Sequence, residues 1–197
     1  PSATRPARLI GNYLSLLTTG RYVCYVLCNA ICYAGIFAFT SCSAYVLIWL
    51  LKVSPDTFGV LYAITVGAYG VGTLIAARYG QNVPIDRMIV FGALVMTISG
   101  EIFVLLPLGG YFNVWTVILP FAGFAFGTGF VFPNGQAGAI TPYPHMAGSA
   151  SSMLSCLQMT TAAIVGAGAA QYLEGSVMPM AWTIFWLGPI LLVIFYF

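Results

Sequence analysis

The stretch YVCYVLCNAICYAGIFAFTSCSAYVLIWLL, residues 22–51, runs from Arg21 to Lys52 without a charged side chain. A membrane-crossing helix needs about 20 apolar residues, and an unpaired charge in hydrocarbon is costly. The stretch therefore reads as a spanning helix. The same reading works outward along the chain. Asp56 to Arg78 encloses a second charge-free run and Arg87 to Glu101 a third. Glu101 to Glu174 contains only His145 as an ionisable candidate, and the chain after Glu174 is clean. Turn signals divide the longest run. Pro107-Leu108-Gly109-Gly110 breaks it once, and Pro133-Asn134-Gly135 through Pro142-Tyr143-Pro144 breaks it again. Six spans result, at roughly 25–51, 57–77, 88–106, 112–133, 147–172 and 178–197. The fold class is all-α, a polytopic membrane protein with six transmembrane helices. The runs are continuous rather than alternating, which argues against a β-barrel.

Composition agrees. Of 197 residues, 60% are hydrophobic and 5% charged, where a soluble domain carries about 25% charged residues. A soluble enzyme domain, a disordered chain and a secreted disulfide scaffold are excluded. Six Lys and Arg against four Asp and Glu leave too few basic groups for a nucleic-acid surface. The five cysteines, Cys24, Cys28, Cys32, Cys42 and Cys156, all lie in apolar stretches and read as reduced, small hydrophobic residues. Residues 1–21 carry three arginines and no apolar core of a signal peptide. The chain starts at Pro1 and stops at Phe197 inside an apolar run, so both ends read as cut.

Arg5, Arg8, Arg21, Arg78 and Arg87 share one side of the spans and Lys52 lies on the other. The positive-inside rule then puts both termini in the cytoplasm. The organisation expected is a cytoplasmic lead-in, 1–21, and a six-helix bundle, 22–197. Leu9, Tyr13, Leu14, Leu16 and Leu17 give the lead-in an amphipathic pattern suited to the membrane surface.

Several residues stand out chemically. Asn29, Tyr33 and Phe37 recur every four residues and share one helix face. Such a face can line a cavity, with aromatic planes for apolar ligands and an amide as a polar handle. Phe126 and Phe130 recur four apart on the fourth span, and Gln158 on the fifth span joins the cavity or bonds a neighbouring helix. Cys24, Cys28 and Cys32 form a second stripe. Thiols bind soft metals, but with no histidine or carboxylate nearby the stripe reads as packing, and no metal or cofactor is expected. Glu101 is the one carboxylate well inside an apolar segment, about 9 Å of helix rise from Pro107. It is a proton-carrier candidate, or else a residue near the outer interface. Asp86 and Arg87 at a helix start are candidates for a gate latch, or a solvated surface pair. Gly67-Ala68-Tyr69-Gly70-Val71-Gly72 lacks the strand a dinucleotide loop requires and reads as helix packing, as do Gly123, Gly127, Gly129, Gly166 and Gly168. Pro133 and Gly135 are expected to end the fourth span, and Ser149 or Ser151 to cap the fifth.

The run Pro144-His145-Met146-Ala147-Gly148-Ser149-Ala150-Ser151-Ser152 closely resembles the loop between the tenth and eleventh helices of the Bcr/CflA drug-resistance transporters of the major facilitator superfamily. Tyr13-Leu14-Ser15-Leu16-Leu17 with Arg21, then Tyr33-Ala34-Gly35-Ile36-Phe37-Ala38-Phe39, and Val53-Ser54-Pro55-Asp56-Thr57-Phe58-Gly59 resemble that family's approach to its seventh helix, the helix itself and the outward loop after it. The resemblance covers the second half of a twelve-helix plan. It implies a half-bundle that lacks its N-terminal six-helix partner, in a bacterial inner membrane. It further implies efflux of small amphipathic drugs by alternating access, driven by proton antiport. In that plan the first and fourth helices of each half line the cavity and the third is peripheral, which implies that Phe126 and Phe130 face Asn29, Tyr33 and Phe37. The motif residues Pro144, His145, Ala147, Gly148 and Ser149 carry over as the family loop, and no enzymatic activity is implied. Two other functions fit the length. One is a half-transporter that pairs with a second copy of itself. The other is an intramembrane protease, which would need His145 and Ser149 or Ser151 as base and nucleophile.

Overall fold

The computed structural model describes residues 6–80, 82–172 and 175–196, with side chains from Gly11 onward. Arg5, Glu174 and the side chains of Arg8 and Leu9 lie outside the described residues. A short helix α1 (Pro6–Leu17) leads into α2 (Gly20–Ala44), which continues as a π-helical stretch, Tyr45–Leu50. Then follow α3 (Pro55–Tyr79), α4 (Ile85–Leu108), α5 (Val114–Ile140), α6 (Ala147–Gln171) and α7 (Met178–Tyr196). The six helices α2–α7 are each long and apolar enough to cross a membrane.

Local chemistry sets several ends. Ser54 caps α3, accepting from the Thr57 backbone N–H at 3.3 Å, with Pro55 in the first turn. Asn113 opens α5 with a reciprocal capping box. Its side chain accepts from the backbone of Trp115 and Thr116, and the Thr116 hydroxyl accepts from the Asn113 N–H at 2.9 Å. Gly110 leaves α4 at φ +83°, a left-handed conformation that glycine adopts without strain.

Two expectations about the fourth and fifth spans are corrected. Pro133 does not end the fourth span, which runs on to Ile140. Proline removes one backbone donor, a loss tolerated in membrane helices where neighbours support the segment. Here α2 supplies that support. Gly135 lies directly under the Asn29 amide, and a Cβ on Gly138 would sit 2.7 Å from the Tyr25 ring. Asn134 Nδ2 also donates to the Phe130 carbonyl at 2.7 Å. Nor do Ser149 and Ser151 cap α6. A 3-10 turn, Pro144–Met146, runs straight into that helix, and both serines fall inside it.

The centre of the bundle is α2 and α5, the two most deeply buried helices. α5 packs most extensively on α4 and α3, and α2 on α6, while α7 closes against α4 and α2. α3 and α6 remain mostly exposed. α1 sits against α6, with Leu16 buried and Tyr13 Oη 3.0 Å from Ser152 Oγ.

Candidate functional site

Midway along the helices, a groove of about 280 Å³ opens between α2, α3 and α5. Its walls are aromatic. Tyr33 comes from α2, Tyr62 and Tyr69 from α3, and Phe121 and Phe132 from α5, with the exposed Val66 at the rim. Tyr33 and Phe132 stack with ring centres 6.2 Å apart and planes 27° from parallel. Tyr62 is fixed by Thr40, whose hydroxyl oxygen lies 2.9 Å from its own, and by stacking on Phe39 at 6.3 Å. The hydroxyls of Tyr33 and Tyr69 bond nothing among the described residues. No charged residue lines the groove. Such a site holds aromatic or apolar ligands by stacking and burial, with two phenol hydroxyls for polar groups.

The sequence face of Asn29, Tyr33 and Phe37 is partly realised. Tyr33 lines the groove. Asn29 is fully buried one turn away, its Nδ2 donating to the Tyr25 carbonyl at 3.1 Å and its Oδ1 without a donor. Phe37 packs over Gly166 of α6. Gln158 is also buried, and no donor reaches its Oε1. Phe126 and Phe130 do not face α2. Phe130 packs with Met88 and Ala76, edge-on to Phe91 at 5.0 Å and to Phe126 at 5.3 Å, on the α3 and α4 side. A four-residue spacing defines a face but not its direction, and it is Phe132 that meets Tyr33. The other residues that sequence reasoning passed over, Tyr62, Thr65 and Tyr69, were signalled by their spacing of three and four on one helix face.

A second, larger hollow of about 730 Å³ lies at the arginine-bearing end, around Arg21, Tyr25, Asp86 and Phe195. Its polar groups are already engaged. Tyr25 donates to Asp86 Oδ1 at 2.6 Å, and Arg21 lies 3.6 Å from Asp86 Oδ2 and over the Tyr25 ring. Of the gate-latch candidates, Asp86 is thus engaged by α2 and not by its neighbour Arg87. Adjacent helix residues point in different directions, and Asp86 pairs across to α2 instead. Glu101 is exposed on α4 and has no hydrogen bond or ion pair among the described residues. His145 is exposed in the turn before α6 and Ser149 is buried in the helix, with no hydrogen bond between them. Among the described residues no cluster of metal-ligating side chains occurs. Of the glycines read as packing residues, Gly72, Gly127 and Gly129 meet neighbouring backbone, whereas Gly67, Gly70 and Gly168 meet nothing.

No family model matches the chain. It is 31% identical over 160 residues to Multidrug resistance protein D of Escherichia coli (strain K12), a match covering 79% of this chain and 40% of that protein. It is 23% identical over 172 residues to the Bicyclomycin resistance protein homolog of Haemophilus influenzae, covering 87% of this chain and 43% of that one. The matched region thus spans about two fifths of the length of these curated relatives.

Proposed function

The chain is a homologue of the Bcr/CflA-type drug-resistance proteins of the major facilitator superfamily, and on that premise we propose that its bundle is the C-terminal half of an exporter of small amphipathic molecules. The observation that carries this reading is the aromatic groove midway along the helices, beside a helix whose outer face is uncovered among the described residues. α3 exposes Gly59, Ala63 and Gly67, and α6 exposes Ser152, Ser155 and Ala163. Small residues let helices approach closely, so these two helices are the surface against which an N-terminal six-helix half packs. The protein then sits in a bacterial inner membrane with both ends of this bundle cytoplasmic, in line with the arginine distribution.

In this mechanism Tyr33, Tyr62, Tyr69 and Phe132 hold the substrate by stacking, and Tyr33 and Tyr69 hydroxyls bond its polar groups. The bundle rocks against its partner to expose the groove to alternate sides. Tyr25, Arg21 and Asp86 tie the start of α2 to the start of α4, so that the bundle moves as a body. No carboxylate lines the groove, and the reading assigns the coupling proton of an antiport cycle to the partner half rather than to Glu101. The test is efflux of N-phenyl-1-naphthylamine from cells expressing the native transporter. Wild type lowers cell fluorescence and Tyr33→Ala loses that effect at equal membrane abundance. Unchanged efflux by Tyr33→Ala and Phe132→Ala would remove the groove from the mechanism.

A further inference from the structure

Among the described residues two buried side-chain carbonyls have no hydrogen-bond donor, Asn29 Oδ1 and Gln158 Oε1. Asn29 is fully enclosed and Gln158 is 6% exposed. Burying such an oxygen unpaired is unfavourable, and native proteins leave few of them. Neither side chain acts as a clasp between helices. The Asn29 side chain donates only to its own helix, at Tyr25, and the Gln158 side chain makes no hydrogen bond among the described residues.

The two lie at one level of the bundle. α2 and α6 run in the same direction and are pinned at two places. Tyr22 Oη donates to the Ala150 carbonyl at 2.7 Å, and Phe37 lies over Gly166, where a Cβ would come within 2.6 Å of the ring. Gln158 is midway between Ala150 and Gly166, and Asn29 is at the middle of the interval from Tyr22 to Phe37. On the third side, Gly135 of α5 lies under the Asn29 amide, three residues beyond Phe132. Tyr33 is one turn on from Asn29 along the same face, about 6 Å of helix rise. The Asn29 carbonyl therefore stands one turn from Tyr33 of the stacked pair that forms the groove wall, with Gln158 at its level on α6.

We infer that Asn29 and Gln158 form a hydrogen-bond-accepting subsite at the end of the groove, which selects neutral aromatic molecules carrying two adjacent O–H or N–H donors. This rests on the groove being the substrate site. The ligand's ring stacks on Tyr33 and Phe132 and its donor arm reaches the two amide oxygens. Tyr33, whose hydroxyl is unengaged, is the side chain that turns aside to admit it. A ligand whose donors are capped leaves both oxygens unpaired and is rejected, the asymmetry by which polar sites discriminate strongly.

The test uses purified native transporter and a matched pair of probes, 1-(2-naphthyl)ethane-1,2-diol and its dimethyl ether, with binding measured by equilibrium dialysis. Wild type is expected to bind the diol at least about tenfold more tightly than the ether. Gln158→Met and Asn29→Leu are each expected to bring that ratio to about one. Gln158→Met is also expected to melt no lower than wild type without ligand, because it replaces an unpaired buried oxygen by an apolar group of similar shape. Equal binding of the two probes by wild type, or a preference surviving in either variant, overturns the inference. So does a lower melting temperature for Gln158→Met, which would reveal a structural bond at that position. Tyr33→Ala separates the two readings. If it weakens both probes equally while wild type shows no preference, the groove stands and the subsite falls. If wild type binds neither probe, or Tyr33→Ala leaves both unchanged, the groove itself falls and the subsite with it.

Discussion

The two sides of α5 are built differently. Toward α4 the helices touch backbone to backbone. A Cβ on Gly127 would lie 2.6 Å from the Gly92 carbonyl, and a Cβ on Gly92 would lie equally close to that of Gly127. Phe130 fills the adjoining space and is 4% exposed. Toward α2 the glycines meet side chains instead of backbone, Gly135 the Asn29 amide and Gly138 the Tyr25 ring. Beside this contact opens the groove with the phenols of Tyr33 and Tyr69, and the donorless Asn29 carbonyl lies on that side as well. Close packing without polar demands suits a contact that stays fixed. Open aromatic walls and unmet acceptors suit one that receives a ligand. The difference teaches that stability and recognition are divided between opposite faces of one helix, so substitutions should separate them.

The largest expected effect is at Phe130. Phe130→Ala removes a buried ring and should lower stability by about 3–5 kcal/mol, measured by unfolding in detergent. Drug profile per folded molecule should not change, and Phe126→Ala should follow the same pattern more weakly. A changed profile at normal stability would break the division. Next, Gly127→Val forces α4 and α5 apart and should cost about 1–3 kcal/mol, read as a lower melting temperature. Tyr33→Ala is the converse case. It should weaken binding of naphthyl probes about tenfold, the effect of roughly 1.4 kcal/mol, while membrane abundance stays at the wild-type level. Smallest is the ion pair at the arginine-bearing end. Arg21 and Asp86 are 75% and 52% exposed in their side chains, so solvent screens the pair and Arg21→Gln should shift the melting temperature least of the four. That change should shrink further in high salt.

The spans were legible because charge is costly in hydrocarbon. Arg21, Lys52, Asp56, Arg78 and Arg87 bracket helices whose observed ends fall within a few residues of those marks. Pro107 and Gly110 likewise marked a real turn. Pro133 misled because a local rule met a tertiary contact: α2 supports the turns beyond it. The site was half legible. Periodicity put Asn29 and Tyr33 on one face, but which face of α5 turns toward them depends on where glycine permits close approach to α4. That is a property of the packed bundle, and it sent Phe126 and Phe130 the other way. Asp86 was read with its sequence neighbour Arg87, whereas its partners Arg21 and Tyr25 lie some 60 residues earlier and meet it only once α2 and α4 are side by side.

The most direct measurement is thiol labelling in native membranes. Single cysteines would be placed at Tyr33, Tyr69 and Phe130 in a background lacking the five natural ones, and each would be exposed to N-ethylmaleimide with and without 1-(2-naphthyl)ethane-1,2-diol. Labelling at positions 33 and 69, slowed by the diol, with position 130 unreactive, is the result expected if the α2 face of α5 is the substrate face. Reaction at 130 as fast as at 33, or no protection at 33 and 69, would contradict it.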